Sequence, residues 1–263
     1  MSSLHMTGKT DTGMVRDHNE DCFLIVPESG IAILADGMGG HQAGEVASAM
    51  AIDRVTHYLL NDFAASNRAK SADGNDASFE STTLVDAIKT ANAAIHDASM
   101  SRAEQSGMGT TIVAASFHGN MLTVAHVGDS RLYRYRNGVL SQVTEDHSMV
   151  QELLRRGLMT PEEARTSLNR NLVTRALGID PVVEVDVREQ PYEDGDLYLL
   201  CSDGLNDVLT DEEIAAVLAS HPDSMESAAQ QLITDVNARG GPDNVSIVLI
   251  HTNGNFSRTP GNK

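Results

Sequence analysis

The chain has 263 residues, enough for one large domain or two small ones at roughly 100–200 residues per domain. Its 37 acidic and 19 basic residues give a formal charge of −18, which opposes phosphate backbones and anionic lipid and argues against nucleic-acid and membrane-surface roles. Tryptophan is absent and aromatics make up 4%, so the core must rest on Ala, Val, Ile, Leu and Met.

In chain order, Met1 to Thr12 holds no apolar run, so no signal peptide is expected. Asp21 to Val26 and Gly30 to Ala35 read as strands separated by the turn signature Pro27-Glu28-Ser29-Gly30. Gln42 to Phe63 reads as a helix, Ala64 to Ser81 as a polar loop, and Thr82 to Arg102 as an Ala-rich helix. A strand series follows over Thr110 to Phe117, Met121 to Val127, Arg131 to Arg136 and Val139 to Val143. Its last break, Asn137-Gly138, is a strong hairpin signal. Thr160 with Glu163 and Thr210 with Glu213 predict capped helix starts. Strands are expected at Val182 to Arg188, Asp196 to Cys201 and Asn244 to Thr252, with a helix from Ser224 to Gly240-Gly241 between the last two. Residues 253–263 read as a disordered tail after a single domain over residues 1–252. Consecutive strands and paired helices predict an α+β fold of stacked sheets flanked by helices, not a regular β-α alternation.

Several apolar strands run directly into aspartate. Ile31 to Ala35 meets Asp36-Gly37, Leu122 to Val127 meets Gly128-Asp129, and Leu197 to Cys201 meets Ser202-Asp203-Gly204; Asp243-Asn244 opens the strand Val245 to Ile250. Any one of these is an ordinary turn. Four that converged at the edge of a core would repel one another unless cations lay between them, and hard ions such as Mg²⁺ or Mn²⁺ suit oxygen ligands. Gly39 to Gly44 has the glycine spacing of a P-loop, but Glu45 stands where lysine is required. Neither Cys22 nor Cys201 is followed by arginine at the spacing a cysteine-nucleophile phosphatase needs, since Glu28 and Asp207 stand there. The two cysteines form no disulfide framework and indicate a reducing, cytoplasmic location.

Six short motifs, in order, resemble the metal-dependent protein phosphatases of the protein phosphatase 2C family, in their compact bacterial form. They are Arg16-Asp17-His18-Asn19-Glu20-Asp21, Asp36-Gly37-Met38-Gly39-Gly40-His41, Gly107-Met108-Gly109-Thr110-Thr111, Val127-Gly128-Asp129-Ser130-Arg131, Ser202-Asp203-Gly204 and Gly241-Pro242-Asp243-Asn244-Val245-Ser246. The resemblance spans about Thr7 to His251 and implies a four-layer α/β/β/α sandwich of two antiparallel sheets flanked by helix pairs. It also implies hydrolysis of phosphoserine and phosphothreonine in proteins, with two Mn²⁺ or Mg²⁺ ions and a possible third.

Carried over by residue, Asp36 would bridge two ions, Gly37 would offer its carbonyl, and Asp203 and Asp243 would complete the pair. Asp129 would hold a third ion together with Asp203. Arg16 would bind the substrate phosphate, Glu20 would hold metal-bound water, and Asp21 would support the site. The resemblance implies phosphoprotein partners that include a serine/threonine kinase, with no nucleic acid, no membrane and a monomeric chain. Some relatives carry histidine where Met38 stands, as the proposed general acid; methionine donates no proton, and His41 lies nearby. Residues 147–178 resemble a flap beside the active site. Its arginines Arg155, Arg156, Arg165, Arg170 and Arg175 are expected either to meet the phosphoprotein or to pair with Glu152, Glu162 and Glu163 on helix faces. The rival readings are a non-catalytic phosphoprotein binder, disfavoured by the intact aspartates, and a two-metal nuclease-like phosphodiesterase, disfavoured by the charge.

Overall fold

The near-continuous apolar strands follow from sheets covered on both faces. A computed structural model describes residues 4–39, 43–66, 78–165, 167, 169 and 171–258. The elements run β1 (Leu4–Asp11), β2 (Asp21–Val26), β3 (Ile31–Met38), α1 (Ala43–Ser66), α2 (Phe79–Ser101), β4 (Gly109–Thr110), β5 (Ile112–His118), β6 (Met121–Val127), β7 (Arg131–Arg136) and β8 (Val139–Gln142). There follow α3 (Met149–Arg155), α4 (Pro161–Arg165), β9 (Asp186–Pro191), β10 (Leu197–Cys201), α5 (Asp203–Asn206), α6 (Asp211–Ser220), α7 (Met225–Ala238) and β11 (Val245–Thr252).

One sheet has the order β1-β11-β10-β7-β8 and the other β2-β3-β5-β6-β9, with β4 added on β3. Every pairing is antiparallel. Along β3, Ala32 and Leu34 pack into the core between the sheets, while Ile31, Ile33 and Ala35 pack with α1 and α2 on the outer face. Along β10, Tyr198 and Leu200 point between the sheets, while Leu199 and Cys201 pack beneath α6 and α7. Strand side chains alternate faces, so a strand buried on both sides must be apolar at every position. The result is the four-layer α/β/β/α sandwich that the resemblance implies.

Local chemistry sets the element ends. Asn137 and Gly138 have φ of 51° and 80°, the left-handed pair that a two-residue β7–β8 hairpin requires. Thr210 and Glu213 form a reciprocal capping box at α6, and Ser78 and Ser224 cap α2 and α7. Thr160 and Glu163 make the same exchange at α4, which extends only from Pro161 to Arg165.

The structure departs from the sequence reading at the edges. Strand β1 lies in a stretch with no apolar run; as an edge strand paired only with β11, it needs few apolar residues. Strand β9, expected at Val182 to Arg188, lies at Asp186–Pro191. Val183 and Val185 pack with the α1–α2 layer before the chain reaches the sheet edge. Helix α1 runs to Ser66 and α2 begins at Phe79, inside the span read as a loop, of which residues 67–77 lie outside the described residues. The tail is anchored as far as 258. Phe256 is buried, and Arg258 lies over the Phe63 ring and bonds Ser116 and the Ser29 carbonyl. Residues 259–263 lie outside the described residues.

Candidate active site

The strand-end aspartates converge at one end of the sandwich. Asp36 ends the apolar run of β3, directly opposite Asp21 in the β2–β3 register. Asp129 sits in the β6–β7 turn, Asp203 opens α5 just after β10, and Asp243 lies just before β11. Both sheets therefore deliver carboxylates to the same edge.

The backbone around Asp36 is pinned by two threonines. Thr111 N–H and Thr110 Oγ1 both donate to the Asp36 carbonyl, each at 2.8 Å, and Asp36 N–H donates to Thr111 Oγ1 at 3.1 Å. Gly37 then donates to the Glu20 carbonyl at 3.1 Å. A Cβ at Gly37 would lie 2.1 Å from the Gly44 carbonyl oxygen, so only glycine lets the start of α1 pass this close. Glu20 lies against that helix start, where the Gly44 backbone favours its charged form; burial outweighs this and raises its pKa.

Asn244 ties the N-terminal loop to the site. Its Oδ1 accepts from Glu20 N–H at 2.8 Å, and its Nδ2 donates to the carbonyls of Thr12 and His18, both at 2.9 Å. This fixes the loop that carries Arg16. Arg16 Nη2 donates to Asp243 Oδ2 at 2.7 Å and remains about half exposed. Ser202 Oγ donates to Asp21 Oδ2 at 2.7 Å and accepts from Ser246 N–H at 2.9 Å. The other Asp21 oxygen, Oδ1, is buried and has no hydrogen-bond partner among the described residues.

The electrostatics are those of a crowded anionic site. Asp36 and Asp203 are pushed well above the usual carboxylate range, first by burial and then by neighbouring carboxylates. For Asp36 the neighbours are Asp21, Asp203, Asp129 and Asp243; for Asp203 they are Asp129, Asp207, Asp243 and Asp21. Burial also lifts Asp21 and Asp129 to about 6. An orphaned buried acceptor amid mutually repelling carboxylates fits a site built for hard divalent cations. The donor set is all oxygen, as Mg²⁺ or Mn²⁺ requires.

The structure thus brings Asp21, Asp36, Asp129, Asp203 and Asp243 together, with Glu20, Gly37 and Arg16 at the same edge. His41 lies outside the described residues. Three contributors escaped the sequence reading. Asp207 is one helical turn beyond Asp203, and its charge acts on both Asp203 and Asp129; the i, i+4 spacing was the available signal. Asn244 and Ser202 stand inside quoted motifs, but their bridging roles depend on contacts between distant segments. Beside the aspartates a cleft of about 400 Å³ opens towards α3, lined by Asp129, Asp146, Gln151, Leu154, Asp203 and Asp207 among others. In the flap, Arg155 and Arg156 both pair with Glu152, and Arg175 pairs with Asp186. Glu152 thus takes two of the arginines, as the helix-face alternative expects, whereas Arg175 reaches outside the flap. The Arg165 side chain and Arg170 lie outside the described residues.

A family model described as "Protein phosphatase 2C" matches residues 15–239. A protein named serine/threonine phosphatase stp, from Listeria innocua, is 39% identical over 253 residues, covering 95% of this chain and 96% of the relative. The Mycobacterium tuberculosis protein named serine/threonine protein phosphatase PstP is 40% identical over 246 residues, covering 94% of this chain and 44% of that one. A crystal structure of the PstP catalytic domain, described as a complex with two manganese ions, superposes with a TM-score of 0.81 at 37% identity, covering 95% of this chain and 98% of that one.

Proposed function

Because the chain belongs to the protein phosphatase 2C family, we propose that the aspartate edge is its reaction centre, with Asp36, Asp203 and Asp243 as the principal metal ligands and Arg16 as the phosphate-binding residue. The chain is a metal-dependent serine/threonine protein phosphatase. The observation that carries the residue assignment is the convergence of Asp36, Asp129, Asp203 and Asp243: the other three all raise the pKa of Asp36, and Asp129 and Asp243 raise that of Asp203.

The fit of cations to this site rests on the orphaned Asp21 oxygen and the all-oxygen donor set. Asp36, the Gly37 carbonyl, Asp203 and Asp243 would hold a pair of Mn²⁺ or Mg²⁺ ions, and Asp129, Asp203 and Asp207 a third. Such ions, when bound, supply Lewis-acid stabilisation of phosphoryl oxygens and make water a stronger nucleophile near neutral pH. The chain's own residues do the rest. The Arg16 guanidinium is exposed enough to meet a phosphoryl group, and its planar fork suits two phosphate oxygens. Asn244 holds the Arg16 loop in place, so the cation reaches the phosphate without reordering the backbone. Ser202 keeps one Asp21 oxygen engaged, while the other is buried with no hydrogen-bond partner among the described residues. Overall, water replaces the serine or threonine oxygen at phosphorus, and no side chain becomes phosphorylated.

A serine/threonine kinase among the substrates, a signalling role, action in the cytoplasm as a monomer, and flap contact with the phosphoprotein belong to the same reading. Among the described residues, no helix is long and apolar enough to cross a membrane.

The test is hydrolysis of p-nitrophenyl phosphate and of a phosphothreonine peptide, with Mn²⁺ and with EDTA, by wild type and Asp203→Ala. Wild-type turnover should require Mn²⁺. The variant should lose about a thousandfold, roughly 4 kcal/mol of barrier. Activity in EDTA, or a folded variant with wild-type turnover, would overturn the assignment.

A further inference from the structure

A second cluster of titratable groups lies at the root of the flap. The rings of His126, on β6, and His147 stack with centroids 4.6 Å apart and planes 17° apart, and ligating atoms of both lie within 4.8 Å of an Asp186 oxygen. The spacing invites a metal, but the hydrogen bonds oppose one. Gly128 N–H donates to His147 Nδ1 at 3.0 Å, which uses that lone pair and places the ring proton on Nε2. Arg175 Nη1, 3.0 Å from Nε2, finds its own acceptor in Asp186 Oδ1 at 2.7 Å. A cation at His147 would have to displace both the Gly128 contact and the guanidinium.

The same contacts describe a clamp. His147 grips both polar groups of Gly128, since its own N–H donates to the Gly128 carbonyl at 3.0 Å. Gly128 has a φ of +106°, and a Cβ there would lie 2.6 Å from Thr111, so the turn has one conformation to offer. The next residue is Asp129. On the other side, the His147 carbonyl accepts from Thr174 N–H at 2.7 Å, Ser148 bridges Val173, and Met149 N–H donates to the Leu172 carbonyl at 2.9 Å. Both roots of the flap therefore meet at His147. Burial, His126 and Arg175 hold its imidazole neutral, with a pKa lowered to about 4, so the Nδ1 acceptor persists at neutral pH.

We infer that His147 is a positioning residue that locks the Gly128–Asp129 turn to the two roots of the flap, coupling flap order to placement of the Asp129 carboxylate. The coupling rests on reading Asp129 as a ligand of the third ion; the clamp itself does not.

The test compares wild type with His147→Phe, which keeps an aromatic ring on His126 but has no acceptor, and with His147→Asn, whose Oδ1 stands where Nδ1 stood. Two readouts are taken: the weaker phase of Mn²⁺ binding by calorimetry, and limited trypsin cleavage after Arg155 and Arg156. His147→Phe should bind the weaker Mn²⁺ about tenfold less tightly. Its flap should be cut about tenfold faster while the rest of the chain stays intact. His147→Asn should return both to within about threefold of wild type. Wild-type values in His147→Phe, or equal damage in both variants in step with lowered thermal stability, would overturn the proposal. If His147→Phe does not fold, His147→Gln replaces it, since its amide overlays Nε2 and not Nδ1; equal behaviour of Asn and Gln would overturn the clamp. A faster flap cut with unchanged Mn²⁺ binding would refute the coupling to Asp129. A wild type with no weaker Mn²⁺ phase would refute the third-ion reading on which that coupling rests.

Discussion

Strand β10 carries an aspartate just beyond each end, and the two have opposite chemistry. Asp196, before the strand, is 1% exposed, yet its pKa is lowered. Arg136 grips it with Nε and Nη2 at 2.5 and 2.6 Å, Glu193 N–H donates at 2.9 Å, and Tyr198 OH at 3.1 Å. Asp203, after the strand, has carboxylates for neighbours, and its pKa is raised well above the usual range. Burial opposes the charge of both; the difference lies in what surrounds each. A carboxylate that serves the fold is given a guanidinium and donors. A carboxylate that serves a ligand is left with its repulsion until a cation arrives.

Substituting each aspartate should separate the two roles. Asp203→Asn should abolish turnover while leaving thermal stability in EDTA equal to or above wild type, because it removes a repelling charge. Asp196→Ala should do the reverse, destabilising the chain by about 3 kcal/mol because it removes the partner of Arg136 Nε and Nη2, whose Nη1 keeps Glu193, and the acceptor of the buried Tyr198 hydroxyl, with turnover per folded molecule retained. Differential scanning calorimetry paired with active-site titration checks both. Loss of stability in Asp203→Asn would break the contrast.

A smaller effect concerns pH. His147 titrates near 6.5 when unfolded and near 4 when folded, and burial also lowers His126. Between those values the unfolded chain binds more protons, so stability rises with pH and is lost as pH falls from about 6.5 to about 4. Asp196 adds a loss at lower pH, since its depressed pKa confers stability only above the ordinary aspartate range. The raised carboxylates of the aspartate edge act in the opposite direction over the same range, so the histidine contribution is read as a difference: in urea unfolding, lowering the pH from 7 to 5 should shift wild-type stability downward relative to His147→Asn.

The sequence made the aspartates legible for a physical reason. A strand buried on both faces is an unbroken apolar run, so an aspartate at its end stands out, as Asp36 and Asp203 do. The same logic fails at the sheet edges: β1 and β9 are covered on fewer sides, and their patterns are weak. It also fails for groups whose meaning is a contact across the fold. Asp207 caps the end of a four-residue helix, so its i, i+4 spacing from Asp203 belonged to no extended helical pattern that would make it stand out. Asn244 matters because it bonds Thr12 and His18, more than 200 residues away in sequence. His147 matters because its ring meets Gly128 and its carbonyl meets Thr174. Phe256 and Arg258 are isolated among polar residues, and only the fold supplies their pockets.

The most direct test of the central claim is a calorimetric titration of Mn²⁺ into metal-stripped wild type and Asp36→Asn at pH 7.5. Asp36 lies opposite Asp21 and feels Asp203, Asp129 and Asp243, so its carboxylate should be indispensable to the paired ions. Two tightly bound ions in the wild type and none in a folded Asp36→Asn is the result expected. Equal tight binding in both proteins would contradict the assignment of this edge as the metal centre.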